Sequence, residues 1–81
     1  MSSAAPPPIP ADAWMVDVYG PSNRWLLSTP AKDRAEADQH LQRVTARVQL
    51  AGSVALVQHG PDVVLRAVCR ADAWQLEELA P

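Results

Sequence analysis

The sequence predicts an α+β domain in the chain order β-β-α-β-β, with a four-stranded antiparallel sheet, one long helix across one face and a short C-terminal helix. Three observations carry this reading. Stretches of alternating apolar and polar residues flank a central segment with helical spacing. Gly, Pro, Asn and Asp clusters punctuate each pair of alternating stretches, as hairpins require. Apolar residues make up 48% of the 81-residue chain and charged residues 20%, which is ordinary globular usage and enough to bury one core.

Residues 1–12 read as a disordered, proline-rich tail and residues 13–81 as a single domain. In the tail, consecutive prolines fix φ and remove backbone donors, which favours extended polyproline II over packed structure. Pro7 and Pro10 form a PxxP spacing, a pattern too common to name a partner. The first strand is expected from Ala13 to Tyr19, with Trp14, Val16 and Val18 on one side and Met15, Asp17 and Tyr19 on the other. Gly20 to Asn23 supplies a turn, with glycine and asparagine tolerating positive φ. A second strand from Arg24 to Thr29 then places Trp25 and Leu27 in the same core as Trp14, with Pro30 ending it.

Asp33 followed by Glu36 has the spacing of a helix N-terminal capping box. Ala37, Leu41, Val44, Val48 and Ala51 then recur at steps of four, three, four and three, one apolar stripe on a helix of about five turns closed by Gly52. Val54 to His59 and Val63 to Arg70 read as strands around a Gly60-Pro61-Asp62 turn. In the latter, Val63, Leu65, Ala67 and Cys69 are expected inward, and Val64, Arg66, Val68 and Arg70 outward. Asp72 with Gln75 resembles a second capping box, so Trp74, Leu76 and Leu79 are expected on one side of a short helix.

Charge and composition limit the function. A net charge of −2 gives no overall positive field for nucleic acid or anionic membrane. The single cysteine excludes an intramolecular disulfide and a multi-cysteine metal site, and fits a reducing setting. No signal-like leader is legible, nor any run approaching the roughly 18 apolar residues of a membrane span, so a cytoplasmic protein is expected. The excess of arginine over lysine suggests GC-rich coding and carries no mechanism.

The residues that could carry chemistry do not converge. Cys69, His59 and His40 have no spacing that links a nucleophile to a base and an orienting group. His59 with Asp62 is too small a set for a metal, and the three glycines form no phosphate-binding loop. No cofactor is implied, and the reading is non-catalytic, with a small enzyme or enzyme subunit as one alternative. Another is nucleic-acid binding through Arg24, Arg66 and Arg70 with Tyr19 as a stacking ring; the net charge and scarcity of aromatics weigh against it.

The expected binding surface is the sheet face opposite the long helix, carrying Met15, Tyr19, Arg24, Leu26, Val64, Arg66, Val68 and Arg70. Such a face is too apolar for plain solvent, since each large exposed side chain forgoes about 1.5–3 kcal/mol of burial. The C-terminal helix, a second copy of the chain or another protein would cover it. A protein-interaction module follows, acting as an adaptor, inhibitor or regulatory subunit, with a protein or itself as partner.

Overall fold

The computed structural model describes residues 9–71 and 73–79. Five strands and one α-helix follow in the order β1 (Trp14–Gly20), β2 (Arg24–Ala31), α1 (Arg34–Arg47), β3 (Val54–His59), β4 (Asp62–Arg70) and β5 (Ala73–Glu78). The strands form one sheet in the spatial order β2-β1-β3-β4-β5, with every neighbouring pair antiparallel. The α+β class and the single long helix are as the sequence implied. The count of four strands is corrected to five, because the segment expected as a C-terminal helix is β5.

The physical reason lies in the neighbouring edge. A helix of some six residues does not hold without tertiary support, whereas β4 offers unpaired backbone groups that β5 takes up from Arg70↔Ala73 to Leu65↔Glu78. Trp74, Leu76 and Glu78 then alternate with Ala73, Gln75 and Glu77 across the pleat. Asp72, the expected cap of the missing helix, lies outside the described residues, as do residues 1–8 of the proline-rich segment.

Helix α1 starts as expected. The Asp33 carboxylate accepts from the Glu36 N–H at 2.9 Å, and the Glu36 side chain accepts from the Lys32 N–H at 3.1 Å. It ends one turn early. Val48 is already extended, and Gly52 (φ +93°) belongs to the following turn rather than to a helix cap. The freed Val48 carbonyl is not left orphaned, because the Trp74 indole donates to it at 2.9 Å.

Ala37 and Leu41 of α1 close over Val16 and Val18 of β1, Ala55 and Val57 of β3, and Leu65 and Ala67 of β4. Three alanines in this set let the helix backbone approach the sheet closely. Trp14, Ala31, Val44, Val64 and Trp74 pack around the margin, and Cys69 is sealed beside them at 1% exposure. Trp25 does not join Trp14. A bulge between Val18/Tyr19 and Leu27/Trp25 adds a residue to β2, so Trp25 pairs with Tyr19 on the other face. Nor does Pro30 end its strand: β2 runs on to Ala31, as an edge strand can, because its outer side needs no donor.

Two backbone positions test this description. Gly60 (φ +59°) donates to the Ala13 carbonyl at 2.8 Å, and a Cβ there would collide with the Ala11 carbonyl. Gly60→Ala should therefore lower the unfolding free energy read from a urea titration by more than about 1 kcal/mol, while Gly20→Ala, whose Cβ would meet the Leu26 side chain at 3.5 Å or beyond, should leave it nearly unchanged. Ser53 is fully buried and its hydroxyl has no partner among the described residues. Ser53→Ala removes that desolvated group and should raise stability by about 1 kcal/mol in the same titration.

Candidate interaction face

The pleat and the register divide the sheet into two sides. Side chains in phase with Val16 and Val18 meet α1; those in phase with Met15, Asp17 and Tyr19 do not. On this second side three rows run across the strands. Trp25, Tyr19, Val54, Val68 and Gln75 form one row, and Ser28, Asp17, Leu56, Arg66 and Glu77 the next. Pro30, Met15, Gln58 and Val63 complete the third. Among the described residues no helix or loop covers these rows, and Met15, Tyr19, Trp25, Val54, Leu56, Val63 and Val68 are half-buried by their neighbours alone.

A hydrogen-bonded relay anchors the centre. The Trp25 indole donates to the Ser28 hydroxyl at 2.9 Å, and that hydroxyl donates in turn to the Asp17 carboxylate. Asp17 is only 3% exposed although it belongs to an uncovered face. The flanking side chains shelter it, and the relay satisfies one of its oxygens, which a buried carboxylate requires. The relay also fixes the Trp25 ring, because a donor spent on Ser28 holds the indole in one orientation. Farther along the same row Arg66 pairs with its cross-strand neighbour Glu77 at 3.1 Å. Between the rows lies an open depression of about 430 Å³ lined by Tyr19, Asn23, Val54, Leu56, Arg66 and Val68.

Of the eight residues expected on this face, Met15, Tyr19, Arg66, Val68 and Arg70 are in phase with it. Three are not, and bulges explain two of them. Leu26 is the extra residue of the β2 bulge, and its methyls lie 3.5–3.7 Å from where a Cβ on Gly20 would stand, on the α1 side. Val64 is the extra residue of a bulge opposite Val57/Gln58 and packs against the α1-side core, which turns Val63 to the open face in its place. Arg24 pairs with Gly20, one step out of phase with Trp25 and Tyr19. The expected stripe of three arginines is therefore not formed. Trp25 and Val63 were hidden from the sequence by the same bulges, whereas Val54 and Leu56 follow from the alternation of β3 with Ala55 and Val57.

The other chemistry-bearing residues disperse. The ring of His59 stacks on Trp14 with centroids 4.3 Å apart and planes 9° from parallel, while His40 lies against Arg43 and Glu36 on α1. Among the described residues no three His, Cys, Asp or Glu side chains gather as metal ligands, and no helix is long and apolar enough to cross a membrane. What the geometry defines is a small sheet-and-helix domain with one face left open. Comparison with protein-family models, with curated proteins and with solved structures finds no match to this chain.

Burial, and then the charge of Asp17, push the phenol of Tyr19 above its ordinary value of about 10. Tyr19 is the only tyrosine, so its ultraviolet titration is unambiguous. The midpoint should fall above 10 and should drop only part of the way in Asp17→Asn, since burial remains. The unfolded chain releases this proton near pH 10 while the folded chain still holds it. The Tyr19 contribution to stability is thus complete below pH 10 and fades as the pH climbs through the folded midpoint.

Proposed function

We propose that this protein is a non-catalytic binding module that engages another protein through the sheet face opposite α1, in the manner of an adaptor, inhibitor or regulatory subunit. One observation carries the reading: seven large apolar or aromatic side chains occupy a pleated surface over which no element of the described chain folds. The C-terminal segment, expected as one cover for this face, lies at the sheet edge as β5 instead. Full burial of such a side chain is worth about 1.5–3 kcal/mol, and a second protein docked on the face would supply the part still open to solvent.

The composition of the face supports the same reading. Trp25, Tyr19 and Met15 beside aliphatics, with Arg66 and Arg70 toward the β4–β5 side, match the aromatic, methionine and arginine enrichment of interface centres. The relay under Trp25 holds its ring in place before binding, which reduces the ordering cost of association. Arg66 is already engaged by Glu77, which reduces the charge it could offer a phosphate backbone.

The decisive variants are Leu56→Glu and Val68→Glu, applied in affinity capture from an extract of the source organism. Position 56 faces Asp17 across the β1–β3 pair as well as Arg66 across the β3–β4 pair, so Val68→Glu, which faces only the uncharged Val54 and Gln75, is the variant that must keep the fold. Circular dichroism of Val68→Glu should stay native, while affinity for the captured protein falls by roughly thirtyfold or more. Unfolding of both variants, or capture unchanged by either, would overturn the assignment.

A further inference from the structure

The two edges of the sheet are built differently, and the difference points to a second copy of this chain. The outer edge of β2 is guarded three ways: by Pro30 within the strand, by the bulge at Leu26, and by exposed Arg24 and Lys32 at its ends. The outer edge of β5 has none of these guards along Ala73–Glu78. Its two carboxylates are exposed and only partly offset within the molecule, Glu77 by Arg66 at 3.1 Å and Glu78 by Arg34 at 2.8 Å, so they bar registers that oppose them without barring the edge itself.

Strand β5 is also held in place at both ends and exposes a leucine. At one end the Trp74 indole is fixed to the Val48 carbonyl at the end of α1; at the other Glu78 is fixed to Arg34 at its start. Between these ties α1 stands away from β5, leaving a cleft of about 250 Å³ that Leu41, Leu65 and Leu76 help to line. Leu76 is 59% exposed and Leu79 44%. A straight, ordered, unguarded edge with exposed leucines is the template onto which another strand adds.

We infer that β5 pairs antiparallel with β5 of a second copy about a two-fold axis through Leu76, joining two sheets into one of ten strands. Charge and pleat select this register. A two-fold normal to the sheet keeps both helices on one side, so partners must share a face and the centre must fall on a residue. Centred on Glu77, the pairing opposes two carboxylates; centred on Gln75, it parts the two Leu76 side chains and sets Glu77 against Ala73. Centred on Leu76, it sets Leu76 against itself, Trp74 against Glu78 and Gln75 against Glu77, with no like charges directly opposed. The paired leucines cover each other at the mouth of the two clefts. This inference is independent of the open-face reading, and it leaves both open faces on the same side of a doubled platform.

Sedimentation equilibrium and disulfide trapping test it on the full chain. The wild type should show a reversible species of twice 8.8 kDa that grows with concentration. Leu76→Lys, at an exposed position, should stay folded and weaken the association by about tenfold or more. Leu76→Cys should cross-link to itself under mild oxidation, while Leu27→Cys on the opposite edge should not, and the buried Cys69 stays silent in both. A single 8.8 kDa species at every concentration would overturn the inference. So would a dimer indifferent to Leu76→Lys but dissolved by Leu56→Glu, which would move self-association to the open face. Capture of a different protein through that face should survive Leu76→Lys, so the two assignments fail separately.

Discussion

One helix cannot shade five strands. An α-helix with its side chains is about 10–12 Å across, and neighbouring strands lie about 4.8 Å apart. Lying across the sheet, α1 accordingly packs most closely on β1, β2 and β3 and less on β4 and β5. Every other feature of the molecule responds to this shortfall in width. Strands β1 and β3, each paired on both sides, supply the three fully buried valines Val16, Val18 and Val57, while β4 and β5 have to find shelter by other means.

They find it from the ends of the helix. The Trp74 indole reaches the carbonyl that α1 leaves free where it stops, so a single hydrogen bond satisfies a helix terminus and lays a large ring over the β4 side of the core. The Arg34 guanidinium, raised further above its ordinary value by its bond to Asp38 and then by Glu78, clasps the other end. These surface ion pairs contribute little energy individually, so their role is geometric: they fix where β5 runs. The same shortage explains why the opposite face is bare among the described residues, since their one α-helix is spent on the first side.

Period-based reading worked where the spacing is long and unbroken. The α1 stripe through Ala37, Leu41 and Val44, the Asp33 cap, the alternation of β1, and the inward thiol of Cys69 were all legible in the sequence. It failed at single inserted residues. Because side chains alternate with a period of two, one extra residue in β2 and one in β4 reverse every assignment beyond them on the affected side, which moved Trp25, Leu26, Val63 and Val64 together. Nothing in the local composition marks either bulge. The C-terminal error was of another kind: Trp74 and Leu76 stand two apart, as in a strand, but Asp72 and Gln75 at helix-capping spacing pointed the other way. Local propensity yielded to an available sheet edge.

Cys69 draws these threads to one residue. Its thiol lies 1% exposed beneath the Trp74 side of the core, and its backbone bonds both to Ser53 and to Gly52 in the turn after α1. A reagent in solution reaches the sulfur only when β5 lifts from β4 or that turn detaches. The rate at which a thiol-specific dye marks the protein is consequently a clock for the opening of its outer strands, installed by the sequence at the seam between helix and sheet.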